Sequence, residues 1–149
     1  MNWQYFRFPA LGVDDVYDML ALRSRVFVVE QACIFLDADG VDRDSGHLLG
    51  RDGAGLLQGY LRIVDPGIKY SEPSLGRVIT APQTRGTGLG RVLVAEGVAR
   101  CTAAWPGQAT RIGAQSRLEA FYGEFGFVRD GADYIEDGIP HCEMVRLAD

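Results

Sequence analysis

The order of apolar and polar positions predicts a layered domain of strands and helices. Residues Met1 to Phe8 alternate in the manner of a strand. Val13, Val16, Tyr17, Leu20, Ser24 and Phe27 then recur near helical spacing, with Asp15, Asp18, Arg23 and Arg25 on the other side and Asp14 as the expected N-cap. A short second helix is expected near Glu30 to Ile34. Past a turn-rich acidic stretch, Asp37 to Gly46, strands are expected at about His47 to Arg51 and Leu56 to Val64, and again at Leu75 to Thr80. A long helix from about Gly88 to Trp105 is stopped by Pro106-Gly107. A strand at Arg111 to Gln115, a helix at about Leu118 to Phe125 and two closing strands complete the chain, the last at about His141 to Leu147. The order β-α-β-β-β-α-β-α-β-β is a mixed α/β (α+β) layout in which helices cover a mostly antiparallel sheet. At 149 residues, with no repeat or long linker, the chain is expected to be a single domain over residues 1–149.

One junction carries chemistry. The apolar pair Val78-Ile79 runs into Gln83, Thr84, Arg85, Gly86, Thr87, Gly88, Leu89 and Gly90, and the long helix follows. The first N–H groups of a helix lack internal partners and carry partial positive charge. Glycines at 86, 88 and 90 remove the side chains that would keep a ligand from them, so the turn is a seat for phosphate or pyrophosphate. A Walker A loop needs Lys-Ser/Thr after its last glycine, whereas Arg91-Val92 follow Gly90. A dinucleotide fingerprint needs Gly-x-Gly-x-x-Gly and an acid closing the next strand; here the third glycine comes one residue early, and that strand closes on Gln115.

The spacing that fits is Gln/Arg-x-x-Gly-x-Gly, carried by Gln83, Gly86 and Gly88 with Arg85 and Gly90. It resembles the acyl-coenzyme A loop of the GNAT N-acetyltransferase superfamily. The segment Phe121, Tyr122, Gly123, Glu124, Phe125, Gly126, Phe127 is similar to a second motif of that family. Arg23 to Gln31, Gly76 to Ile79, Gly113 to Gln115 and Asp137 to His141 look like its ElaA-like branch. The resemblance spans nearly the whole chain and implies a GNAT-like fold and an acyl-CoA-dependent N-acyltransferase, most naturally using acetyl-CoA. The acceptor would be a primary amine of a small molecule or protein. A CoA-binding sensor module without turnover is the alternative.

The resemblance also implies roles. Arg85, Gly86, Thr87, Gly88, Leu89, Gly90 and Arg91 would hold the pyrophosphate, and the backbone of Val78 and Thr80 the pantetheine arm. An amide at Val78 or Ile79 would polarise the thioester carbonyl. Tyr122 would protonate the departing thiolate, since a phenol keeps its proton at neutral pH. Glu30, past the first helix, is the candidate base through water, and Gln115, His141 and His47 are candidate acceptor-side residues. Adjacent strand residues point to opposite faces, so His141 and Cys142 form no nucleophilic pair.

Composition narrows the classes. A net charge of −5 and the absence of a basic stripe argue against nucleic acid. No apolar run approaches the roughly 20 residues that span a bilayer, and the amino terminus lacks the basic start and apolar stretch of a signal peptide. The thiols Cys33, Cys101 and Cys142 are odd in number and read as reduced cysteines of a cytoplasmic protein. The stretch Asp37 to Asp44 departs from the EF-hand pattern, and no Cys/His grouping has zinc spacing, so no metal is expected. That stretch is expected to be solvated, or else to rim a pocket that attracts a cationic amine. A homodimer is a further expectation, from the superfamily.

Overall fold

A computed structural model describes residues 1–149. Strand β1 (Asn2–Arg7) leads into helix α1 (Val13–Arg23), which continues as a π-helical turn over Ser24–Glu30. Strands β2 (Ser45–Arg51), β3 (Leu57–Val64) and β4 (Ser74–Thr80) follow, then helix α2 (Leu89–Ala104), strand β5 (Thr110–Gln115) and the short helix α3 (Glu119–Gly123). Strands β6 (Val128–Arg129), β7 (Tyr134–Glu136) and β8 (Ile139–Arg146) close the chain. Every ladder is antiparallel. No helix is long and apolar enough to cross a membrane.

The strands form two sheets. One runs β1-β2-β3-β4; the other runs β5-β8-β6, with β7 also on β8. Leu48, Leu61, Ile63, Leu75, Leu93, Val94, Ile112, Phe127 and Met144 join both sheets and α2 in one apolar core. Helix α2 approaches β3 at Gly97, where a Cβ would sit 2.7 Å from a Leu61 methyl and force that side chain to shift. On the opposite side, Met19, Leu22 and Val26 pack α1 and its π-turn onto Leu49, Tyr60 and Ile79. Arg51 ties β2 to α1 through Asp15 and Asp18, at 2.7 and 2.9 Å.

The structure departs from the sequence expectation in the cap of the first helix, a missing second helix and the closing strands. The cap of α1 is Gly12, not Asp14; its N–H donates to the Asp15 carboxylate at 3.1 Å. The expected second helix near Glu30 to Ile34 is absent. Val26, Val28 and Val29 are β-branched and resist regular α geometry, and here the first helix widens instead into i→i+5 bonds, such as the Gln31 N–H to the Val26 carbonyl at 3.2 Å. The closing pair of strands is three, because Asp137 (φ 51°) and Gly138 (φ 77°) form a left-handed turn that folds β7 back on β8.

Candidate active site

Where β4 and β5 approach, the Arg111 N–H donates to the carbonyl of Pro73, the residue before β4, at 3.0 Å. No ladder joins the two strands beyond it. The parted strands line a cleft of about 740 Å³, walled by Gly76 to Thr80 on one side and Ile112 to Gln115 on the other. Inside β4 the register slips: Tyr60 faces Ile79 while Arg62 faces Gly76, so Arg77 and Val78 together oppose Leu61. This is a β-bulge, which disrupts the ladder locally and frees main-chain groups to face something else. Arg77 takes φ 51°, a left-handed conformation that costs a non-glycine residue energy.

Buried charge supports that conformation. The Arg77 guanidinium donates to Asp37 at 2.8 Å and to Asp39 at 3.3 Å. Arg23 reaches Asp37 (2.7 Å) and Asp42 (2.8 Å), and Arg62 reaches Asp39 (2.8 Å) and Asp42 (2.9 Å). Arg23 and Arg62 are essentially inaccessible to solvent. Three arginines from α1, β3 and β4 thus neutralise Asp37, Asp39 and Asp42 of the acidic stretch, whereas Asp44 stays exposed and Asp39 also lines the cleft. Burial alone would raise the Asp39 pKa, but the Arg62 hydrogen bonds and charge outweigh it and hold the carboxyl at about 2.

Past Thr80 the chain makes a 3₁₀ turn and enters the glycine loop. Gly86 (φ 81°) and Gly88 (φ 85°) take left-handed conformations, and Gly88 caps α2 without any side-chain partner for the helix amides. A Cβ on either glycine would meet no protein atom within 4 Å. Both glycines therefore face open space at a helix start, the geometry of an anion seat. A second cavity of about 260 Å³ lies there, lined by Thr84, Gly86, Gly88, Leu89, Gly90 and Arg91 among others. Thr80 and Arg85 line both cavities, so seat and cleft adjoin. Thr87 bonds the Thr84 carbonyl at 2.6 Å, holding the loop in place.

Most of the titratable residues expected at the site lie along this cleft. Tyr122 lines it, edge-on to Phe121 and Phe127. Burial pushes its phenol up to about 12, so it stays protonated at any physiological pH. Glu30 also lines the cleft, bound to Arg85 at 2.7 Å, which joins the candidate base to the candidate phosphate ligand. Arg91 is held by Glu124 at 2.9 Å beside the seat. Gln115 donates to Gln31 at 3.3 Å and accepts from Arg117 at 3.0 Å. His141 is stacked on Tyr134, its Nδ1 2.7 Å from the Ile139 carbonyl and its Nε2 3.4 Å from Glu136. Cys142, on the opposite face, is in the core.

His47 is a correction. It does not reach the cleft: it is fully buried, with Nδ1 2.7 Å from the Tyr60 hydroxyl and Nε2 2.9 Å from the Asp42 carbonyl. Burial lowers its pKa, and it serves the arginine–aspartate network. Sequence reading missed Arg77, Lys69, Arg117 and Glu136, all of which line the cleft. A non-glycine residue in left-handed geometry leaves no composition signal, but Lys69 does leave one, as the only lysine among 15 basic residues.

Comparison with known proteins agrees with this geometry. A family model described as an acetyltransferase (GNAT) domain matches residues 43–148. A UPF0039 protein of Synechocystis is 43% identical over 97% of this chain and 94% of its own length. Protein ElaA of Escherichia coli is 38% identical over 98% of this chain and 96% of its own. Its crystal structure superposes with a TM-score of 0.91 over 97% of this chain and 98% of that one. An acyl-CoA N-acyltransferase from Pseudomonas aeruginosa, 36% identical, gives a TM-score of 0.92 over the same shares.

Proposed function

Because the chain belongs to the acetyltransferase (GNAT) family, in its ElaA-like branch, we propose that it transfers an acetyl group from acetyl-CoA directly to a primary amine of a small molecule or a protein. The observation that carries this reading is that the bulged, parted β4/β5 cleft adjoins the glycine-lined seat, with Thr80 and Arg85 lining both. A pyrophosphate in the seat meets the amides of Arg85 to Gly90, and Arg85 and Arg91 add charge. The extended arm then lies along β4, pairing with the main chain of Val78 and Thr80.

The thioester reaches the bulge, where an amide at Val78 or Ile79 polarises its carbonyl, a contribution of about 3 kcal/mol for one such donor. The acceptor amine loses its proton through water to Glu30 and attacks the carbonyl carbon. The C–S bond breaks, and Tyr122 returns a proton to the departing thiolate. Arg85 and Glu30 hold each other at 2.7 Å. A phosphate competing for Arg85 releases Glu30, so both roles are compatible once the cofactor is seated. His141 and Gln115 face the same cleft and contact the acceptor. The three free thiols suit a reducing, cytoplasmic setting.

A panel of primary amines (polyamines, amino sugars, amino acids and peptides), assayed for free thiol release from acetyl-CoA, tests the reading. Acetylated product from at least one amine is expected. Binding of acetyl-CoA with no turnover on any amine would favour the sensor module.

A further inference from the structure

The chain carries 14 arginines and a single lysine, Lys69. Arginine serves at the buried ion pairs, at the seat and on the surface, so the one amine stands out by where it lies. Lys69 sits in the loop between β3 and β4, turned by Gly67 (φ 85°) with the Gly67 N–H on the Tyr70 carbonyl at 2.7 Å, and it lines the cleft. No carboxylate lies within ion-pair distance of it, whereas Arg77 and Arg85 in the same cleft are both paired. Its ammonium lies 5.7 Å from the centre of the Tyr70 ring.

The side chain as a whole is accessible to solvent, yet desolvation is the largest influence on its amine and lowers its pKa. Glu136 and Asp39 oppose that shift, while Arg62 and Arg77 add to it. Arg77 belongs to the bulge beside Val78, so the amine feels the charge next to the proposed carbonyl site. A guanidinium at this position could neither lose its proton nor accept an acyl group; an amine can do both.

We propose that Lys69 is itself an acceptor, and that the protein acetylates its own ε-amine at this position. The inference rests on the acyl-CoA reading above. The neutral amine attacks the thioester carbonyl carbon, an N–C bond forms and the C–S bond breaks. The thiolate takes a proton from Tyr122, and the amine's proton leaves to water. The products are an amide on Lys69 and free CoA. Acetylation removes the only lysine charge and places an acetyl group on the wall of the cleft.

Incubation of the whole protein with acetyl-CoA, followed by intact mass and peptide mapping, tests this, with acetyl-CoA binding measured separately by calorimetry. One acetyl group on Lys69 is expected, gained at a first-order rate independent of protein concentration. The rate should be at least about tenfold above that of the urea-unfolded chain at the same pH, and lower in Tyr122→Phe. Lys69→Arg, which keeps the charge, should bind acetyl-CoA normally and gain no acetyl group. Bound acetyl-CoA with no acetyl gain, gain only at the Met1 amine, or gain no faster than in the unfolded chain would overturn the inference and leave the transferase reading standing. Failure to bind acetyl-CoA would overturn both.

Discussion

The arginine–aspartate network under β4 and the glycine seat beside it use polar groups in opposite ways. In the network, Arg23, Arg62 and Arg77 share Asp37, Asp39 and Asp42, and His47 and Tyr60 complete the bonding. In the seat, the N-terminal amides of α2 have no side-chain cap, and Gly86 and Gly88 face open space. Charge satisfied inside the protein is structure; polar groups left open along a cavity are an invitation to a ligand. Arg77 links the network to the cleft beside the seat, because its aspartate partners hold the left-handed residue that shapes the bulge.

The largest expected effect comes from breaking the network. Asp42→Ala leaves Arg23 and Arg62 buried short of a partner and should cost roughly 3–5 kcal/mol in denaturant unfolding. A loss below about 1 kcal/mol would mean that the network is incidental. In the cleft, Tyr122→Phe should leave acetyl-CoA affinity and folding nearly intact and lower turnover by tenfold to ten-thousandfold, on the order of a general acid's contribution. Unchanged turnover would remove Tyr122 from the mechanism. Gly88→Val strains a residue at φ 85° and fills phosphate space. Its acetyl-CoA affinity should fall at least about tenfold, beyond the roughly 1–2 kcal/mol of backbone strain that shows in stability. Equal affinity in a folded variant would sink the seat.

The smallest effect concerns pH. His47 is held below its ordinary value of 6.5 by burial, so the unfolded chain binds a proton that the folded one refuses. Stability should therefore be fully present above pH 6.5 and decline as pH falls from there toward the lower folded value. Asp39, at about 2 against an ordinary 3.8, adds a separate loss between those values. His47→Gln should flatten the first decline and leave the second, as read by thermal unfolding across pH. An unchanged first decline would assign it to another group.

What was legible in the sequence was what lies close together along it. The seat needs only the strand ending at Thr80, the glycines and the helix after them, all within one run of chain. The place of Tyr122 on the cleft was legible because its motif is equally local. What was not legible depends on distant partners. The acid stretch looked solvated because its arginines come from up to 40 residues away, as Arg77 does for Asp37. His47 looked like a site residue because the loop that buries it could not be placed from its own composition. The parting of β4 from β5 and the bulge at Arg77 are matters of register, and register leaves only an alternation pattern that both arrangements satisfy.

The central claim is that the open seat and the parted cleft together form one acyl-CoA site. Calorimetric titration of acetyl-CoA into the purified protein, with NAD as the control ligand, tests it most directly. The account predicts saturable acetyl-CoA binding at one site per chain and no binding of NAD. Absence of acetyl-CoA binding, or equal binding of NAD, would contradict it.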